Sequence, residues 1–529
     1  MTAHPAPGPR ALLQDPRQEE VIAFLGDPHS HGGAAVERID THAAVVFLAG
    51  DRALKLKRAV RYPYLDYSTV EKRRAACEAE LAINRRTAPT LYRGVVAVRR
   101  GAGGRLTLDE RAEAGAAGEP VDWLVSMARF PDDALLDRMA ERHALTPALM
   151  LRLAERIAAF HAQAAPRPDG GGVEAMRAVV DGNLADLRAA PDLFPPDAVA
   201  RLAERTATAL HRVGPLLEER RRGGFVRHGH GDLHLRNIVL LDGEPTLFDA
   251  IEFDEALAVA DLLYDLAFLL MDLDHRGLRP LGNLVLNRYL EETGDYGGLA
   301  ALPLFLSARA AVRAKVIAAA LRLAATAGGQ PAATAMTGEA RCYLDEALAA
   351  LAQAPARLVA VGGLSGTGKT RLAEGLAPGL GPAPGAVVLR SDVLRKRLCG
   401  VGDTDRLPPE GYAPAMTGRV YAELGRRAAA VLAAGQAVVI DAVSARPAER
   451  AAFESVAAAA GVRFDGLWLD APLATRVDRV ANRRNDASDA TADVVQRQEC
   501  YDLGTVDWTR LDSGRVAADV LDDARASLA

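Results

Sequence analysis

One eight-residue stretch restricts this chain more than any other: Gly363-Leu364-Ser365-Gly366-Thr367-Gly368-Lys369-Thr370. It fits G-x-x-x-x-G-K-[ST] at every fixed position, with apolar Leu358-Val359-Ala360-Val361 before it and a helical pattern after it. Glycines there let backbone N–H groups converge on phosphate oxygens, and the N-terminus of the following helix adds its dipole. In such a loop Lys369 reaches the β- and γ-phosphates of a nucleotide, and Thr370 ligates Mg²⁺. Further apolar strands are expected at 386–389, 437–440 and 466–469, separated by helical stretches. From Arg357 onward the chain therefore reads as an α/β P-loop NTPase domain with a doubly wound parallel sheet.

Two strands of this region end in acids. Asp392, after Val387-Val388-Leu389-Arg390-Ser391, is a candidate to accept a proton from an attacking hydroxyl. Asp441, after Val438-Val439-Ile440, is a candidate for the Mg²⁺ shell. Both would lie at the carboxyl ends of strands, where ligands sit in open α/β sheets. A helix N-cap is the plainer reading of each. Arg476, Arg479, Arg483 and Arg484 are expected on one helix, the first three on one face, as a phosphate clamp or as a solvated surface. Asp486-Ala487-Ser488-Asp489 reads as a loop and cap.

The sequence before Ala354-Pro355 has a different style. The Pro- and Ala-rich start, 1–17, is expected to be disordered. Strands are expected at 43–48 and 53–57 about the hairpin signal Ala49-Gly50-Asp51-Arg52, then a helix over 68–87, then strands at 91–99 and 121–127. This is a small α+β lobe, placed at 18–130. Helical patterns at 147–164 and 196–220, a β section at 225–254, and helices to about Gln353, broken at 328–331, make a second lobe, 131–354.

Within the second lobe's β section stands His230-Gly231-Asp232-Leu233-His234-Leu235-Arg236-Asn237. Phosphoryl transfer to a hydroxyl needs a carboxylate to take the proton, and an Asn five residues later can hold Mg²⁺. Asp232 and Asn237 have that spacing. His234 has no spaced second His or Cys, so a loop-bracing hydrogen bond explains it better than a metal.

This stretch resembles the aminoglycoside phosphotransferase and choline kinase superfamily, whose common form is His-Gly-Asp-x-His-x-x-Asn. The resemblance covers roughly residues 20–350 and implies a bilobal protein-kinase-like fold. It also implies a second metal ligand on the next strand. Asp249 fits by type, and Glu252 fits the family's register. Asp265 looks like the family's acid that braces the catalytic loop. The same resemblance implies a strand Lys for the α/β-phosphates and a helix Glu that orients it. Lys55 is preferred over Lys57 on the same strand face, and Glu80 over Glu78. Arg129 and Phe130 fall where a hinge would meet adenine. Thr41-His42-Ala43-Ala44 stands where other kinases have a glycine loop. The C-terminal 170 or so residues resemble P-loop kinases of the gluconate kinase, polynucleotide kinase and zeta-toxin groups, on the Gly363–Thr370 loop, on Ser391-Asp392 with Arg395-Lys396, and on the arginine-rich helix.

Together these features imply a bifunctional ATP- and Mg²⁺-dependent phosphotransferase acting on hydroxyls of small molecules. Two other classes remain open: a switch ATPase with regulatory nucleotide binding, and a polynucleotide-end kinase in the C-terminal part. The net charge of −5 and few aromatics argue against broad nucleic-acid binding. The four cysteines, Cys77, Cys342, Cys399 and Cys500, are far apart and no pair has metal-site spacing. With no apolar leader or spanning run, a cytoplasmic protein is expected.

Overall fold

The computed structural model describes residues 16–41, 43–62, 65–109, 118–326, 331–352, 354–483 and 487–529. The expected disorder of the first residues and the break at 328–331 fall largely outside these. A helix, Pro16–Gly26, already begins at Pro16. Two compact units form, Met1–Ala175 with Arg221–Leu266, and Met176–Arg220 with Ala267–Ala529. The expected division at 354–355 follows a change in sequence style, whereas packing groups the helices from Ala267 onward with the P-loop sheet.

In the first unit, six antiparallel strands run in the order Val36–Asp40, Ala44–Ala49, Arg52–Lys57, Glu119–Ala128, Tyr92–Arg100, Leu106–Asp109. Side chains alternate across a strand, so each strand serves two faces. Val45, Phe47, Leu54, Leu56 and Leu124 pack with Val21 and Leu25 of the first helix. Ala53, Val125 and Met127 pack instead with Cys77 of the helix Val70–Asn84. Lys55 and Lys57 share the parity of Ala53 and so face that helix. Its buried stripe, Arg73, Cys77, Glu80 and Asn84, recurs at helical spacing. Thr69 Oγ1 caps it, accepting from the Lys72 N–H at 3.3 Å. The catalytic-type loop lies between Val226–His228 and the hairpin Ile238–Leu241/Glu244–Leu247.

In the second unit, a five-stranded parallel sheet has the order Val387–Arg390, Val438–Asp441, Arg357–Gly363, Arg463–Asp470, Thr509–Asp512. Past Arg357 its central strand is apolar because helices cover both faces: Leu358, Val359, Ala360 and Val361 are at most 1% exposed. The edge strand Val387–Arg390 is closed by the helix Arg279–Thr293. Asn287 Oδ1 accepts from the Val388 N–H at 2.7 Å, and Asn283 Nδ2 donates to the Ala386 carbonyl at 3.0 Å. Two side chains thus satisfy ladder groups that would otherwise invite another strand. Among the described residues, no helix is long and apolar enough to cross a membrane.

Candidate active sites

The first site grows out of the paired lysines. Lys55 Nζ lies 2.9 Å from Glu80 Oε1 and 2.5 Å from Asp249 Oδ1. Lys57 Nζ pairs with the other Glu80 oxygen and with Glu252. Glu78 takes no part; it pairs with Arg74 on the exposed side of the helix at 2.9 Å. Burial alone would lower the Lys55 ammonium, but Asp249 and Glu80 outweigh it and hold its pKa well above the ordinary value. Burial likewise opposes the Glu80 carboxylate, and the two lysines overcome it and depress its pKa.

The two acids left open by the sequence separate here. Glu252 is buried against Lys57 and accepts from the Tyr67 hydroxyl at 2.9 Å. Asp249 is 39% exposed at its side chain, with only Lys55 of the lysine pair against it. Its backbone has φ +59°, a strained conformation for a non-glycine residue. That turn is over-determined: the Asp249 N–H donates to Tyr92 Oη at 3.1 Å, and the Ala250 N–H donates to Asn84 Oδ1 at 2.8 Å.

The loop itself is held from behind. Asp265 accepts the N–H groups of His230 and Gly231, both at 2.8 Å, and meets His161 Nε2 at 3.1 Å. A Cβ on Gly229 would stand 2.6 Å from Asp265 Oδ2, so this approach requires glycine. Burial pushes the His230 imidazole pKa down, and its Nε2 meets the Phe248 carbonyl at 2.9 Å. At the front, Asn237 Nδ2 donates to Asp232 Oδ2 at 2.8 Å, and His234 Nε2 lies 3.3 Å from the same oxygen. Phe248 N–H donates to the Asn237 carbonyl at 3.0 Å, tying the segment that carries Asp249 to the loop. Arg129 pairs with Glu37 at 3.1 Å and Phe130 packs edge-on against Phe248. His42 lies outside the described residues.

The second site is built from backbone. Gly363, Gly366 and Gly368 have φ of +137°, +85° and +92°, and the helix Lys369–Leu376 starts directly from Gly368. Thr367 Oγ1 donates to the Leu364 carbonyl at 2.8 Å. Lys369 Nζ donates only to that same carbonyl at 3.2 Å among the described residues. Burial pushes its pKa down, with Asp441 and Asp392 opposing. Thr370 Oγ1 donates to Asp441 Oδ2 at 2.6 Å; burial raises the Asp441 pKa against the pull of Lys369 and Arg390. Asp392 sits in the first turn of the helix Ser391–Leu398. An open cavity of about 350 Å³ lies at the ends of the strands Arg463–Asp470 and Thr509–Asp512, lined by Asp470, Ala471, Pro472, Arg510, Leu511 and Asp512.

The arginine expectation needs correction. The helix Leu473–Ala481 carries Arg476 and Arg479 but stops before Arg483, because Asn482 closes its last turn through Nδ2 on the Asp478 carbonyl at 3.0 Å. Arg484 and Asp486 lie outside the described residues. Arg479 donates to the Ser513 carbonyl at 2.8 Å, and Arg476 pairs with Glu499. The expected cap at 486–489 is also displaced: Thr491 caps the helix Ala492–Gln498, while Asp489 accepts from Tyr412 Oη at 2.7 Å and pairs with Lys396 at 3.1 Å. Arg395 is turned away, donating to the Gly411 carbonyl at 2.9 Å. Sequence reasoning missed Gln498, whose Oε1 accepts the Ser365 N–H at 2.7 Å, and its neighbour Glu499. It also missed Tyr67, Asn84 and Tyr92. None sits in a local motif, so no sequence signal marked them.

Comparison with known proteins gives the same two parts. The phosphotransferase enzyme family matches residues 41–302, and the AAA domain family matches residues 358–501. Uncharacterised proteins of Mycobacterium tuberculosis and Mycobacterium bovis are each 33% identical over 477 residues, 88% of this chain and 90% of theirs. Among solved structures, a choline/ethanolamine kinase family protein from Mesorhizobium loti is 16% identical, with TM-score 0.38, over 63% of this chain and 99% of that one. A gluconokinase from Sinorhizobium meliloti is 22% identical, with TM-score 0.24, over 33% of this chain and 91% of its own.

Proposed function

We propose that this chain, which belongs to the family of those mycobacterial proteins, is an ATP-dependent phosphotransferase joining an aminoglycoside-phosphotransferase/choline-kinase-like region to a P-loop kinase region, and that both regions transfer the γ-phosphoryl of ATP to hydroxyls of small molecules. The observation that carries the first half is the division of labour among acids. Glu80 and Glu252 are consumed by lysines, while Asp232 and Asp249 keep carboxylate oxygen exposed.

In that site Asp232 takes the proton of the attacking hydroxyl and aligns it. Lys55, fixed by Glu80, grips phosphate oxygens. Asn237 and Asp249 would hold Mg²⁺; all the donors are hard oxygens, which suit that ion together with phosphates. The ion would neutralise charge on the phosphates. His230 and Asp265 act on the loop's shape.

In the P-loop site the loop amides and Lys369 bind phosphates, and Thr370 with Asp441 would hold Mg²⁺. Asp392 is the proposed proton acceptor, with Arg476, Arg479 and Arg483 proposed to meet phosphate. The cavity lined by Asp470, Pro472 and Arg510 is the proposed place for the base. Catalysis in both sites is mainly positioning and charge neutralisation. The four free cysteines fit a reducing, cytoplasmic setting.

The test is a metabolite screen with labelled ATP on the wild type, on Asp232→Asn and on Lys369→Ala. Each acceptor should lose label in one variant and keep it in the other. Label that survives both single changes for every acceptor would sink the proposal.

A further inference from the structure

Among residues that take no part in either phosphate site, three side chains meet: His275 at the end of the helix Leu262–His275, and Cys342 and Glu346 on the helix Pro331–Ala350. Cys342 and Glu346 are one turn apart, so they present on one helix face. His275 Nδ1 lies 2.8 Å from Glu346 Oε1, and Cys342 Sγ lies 3.4 Å from the same oxygen. The three candidate donor atoms all fall within 4.8 Å of one another. The His275 ring is fixed by stacking on Tyr343, centroids 3.9 Å apart and planes 13° off parallel.

We propose that His275, Cys342 and Glu346 bind a zinc-class divalent cation, with water as the fourth ligand, and that the ion clamps the two helices together.

Four observations support the assignment. The donor set is one nitrogen, one sulfur and one oxygen, a mixture that suits zinc and not Mg²⁺. Tetrahedral zinc with bonds of roughly 2.0–2.3 Å needs donors roughly 3.3–3.7 Å apart, a small adjustment of side chains from the spacing here. Glu346 Oε2 is buried and meets no hydrogen-bond partner among the described residues, a cost that a cation would remove. Cys342 is exposed, which gives the ion an entry path.

Without a cation the thiol is a donor to the carboxylate. Burial, with Glu346 beside it, pushes its pKa up to about 11. Binding would deprotonate it, the proton passing to solvent. The clamp also has a structural rationale. The His275 helix leads directly into the helix Arg279–Thr293, whose Asn283 and Asn287 close the edge of the P-loop sheet. The Cys342 helix is the last before the central strand Arg357–Gly363.

The experiment uses the full chain, stripped with a chelator and then saturated with Mg²⁺ so that the phosphate sites are filled by the harder ion. Zinc is titrated in competition with a chromogenic chelator. One zinc per chain is expected, with affinity weakened at least about tenfold by Cys342→Ser and by Glu346→Gln. Cys342 is at the surface, so its serine variant should fold, and circular dichroism checks this. Cobalt supplies the second readout: a thiolate charge-transfer band that Cys342→Ser removes while Cys399→Ser and Cys500→Ser keep it. Substoichiometric uptake, an affinity indifferent to Cys342→Ser, or a band that follows Cys399 or Cys500 overturns the proposal.

Discussion

The two phosphate-handling centres solve one problem with opposite materials. The first holds its lysine in a finished network: Lys55 and Lys57 are already paired with Glu80, Asp249 and Glu252. The second leaves Lys369 buried with a single carbonyl contact among the described residues and a lowered pKa, beside a loop of glycine-shaped amides. In the first, the groups proposed to bind ligand also hold the lobe together. In the second, charge is kept waiting, and in the proposed function the phosphate supplies its partner. Stability and activity should therefore be coupled at one centre and separable at the other.

The largest effects test whether each centre works independently. Asp232→Asn should cut phosphotransfer at the first centre by roughly 10²–10⁴-fold, the usual contribution of a positioned general base. ATP affinity should change little, because in the proposed role the carboxylate serves the acceptor and not the nucleotide. Asn237→Ala should instead weaken metal-nucleotide binding. Both are measured in a Lys369→Ala background, with turnover beside ATP affinity. If Asp232→Asn loses ATP binding as severely as Asn237→Ala, the proton-acceptor role must be withdrawn.

Next in size comes stability, where the comparison is sharpest. Glu80→Ala leaves two buried lysines short of a partner and should cost about 3–5 kcal/mol. Lys369→Ala removes a buried charge that has no ion pair among the described residues, so it should abolish nucleotide turnover without destabilising the fold. Denaturant unfolding of the two variants decides this. The pH dependence follows in sign. The folded Glu80 pKa lies at about 2 against an ordinary 4.5. Its stabilisation is therefore complete above 4.5 and lost as pH falls toward 2. Glu80→Gln should flatten the acid slope in that window, and a slope equal to wild type would contradict the network's role.

The glycines give a smaller, steric contrast. A Cβ on Gly366 would lie 2.6 Å from the Arg476 carbonyl oxygen, which is backbone and cannot yield, at φ +85°. Gly366→Ala should cost roughly 1–3 kcal/mol and silence the P-loop centre alone. Gly229→Ala presses on Asp265 and should silence the first centre alone. Site-specific turnover of each variant checks the pair.

How far the sequence anticipated these centres depends on distance along the chain. The Gly363–Thr370 loop and the Asp232/Asn237 pair were legible because all their parts lie within eight residues. Lys55 and Glu80 were reachable only through resemblance, and the choice between Asp249 and Glu252 was not, because it depends on Tyr67 and Lys57 arriving from another strand and loop. The strand Thr509–Asp512 went unseen: Thr-Arg-Leu-Asp sits at the sheet edge, where one buried leucine suffices and no apolar run is required. The arginine helix was drawn too long because residue types do not show that Asn482 will close it.

The finest test concerns Gln498, 133 residues from the loop it touches. Its Oε1 takes the Ser365 N–H, one of the amides that a P-loop directs at phosphate, while Glu499 next to it holds Arg476. Two readings of this contact predict opposite signs. If Gln498 props the loop open, Gln498→Ala lets it relax and nucleotide binding weakens. If Gln498 stands in for a phosphate oxygen, the same change frees an amide and binding tightens. The glycine geometry favours the second, because Gly363, Gly366 and Gly368 already hold their conformations, and the Thr367–Leu364 hydrogen bond closes the turn without Gln498. One neutral hydrogen bond is worth about 0.5–1.5 kcal/mol. Gln498→Ala should therefore tighten ATP binding at the P-loop centre by roughly 2- to 10-fold, with Glu499→Gln shifting it the same way by releasing Arg476. Calorimetric titration of the nucleotide into Asn237→Ala protein, whose first centre should bind metal-nucleotide weakly, with and without Gln498→Ala, reads the sign directly, and weaker binding would show that the backbone cradle, too, depends on a side chain to hold its shape.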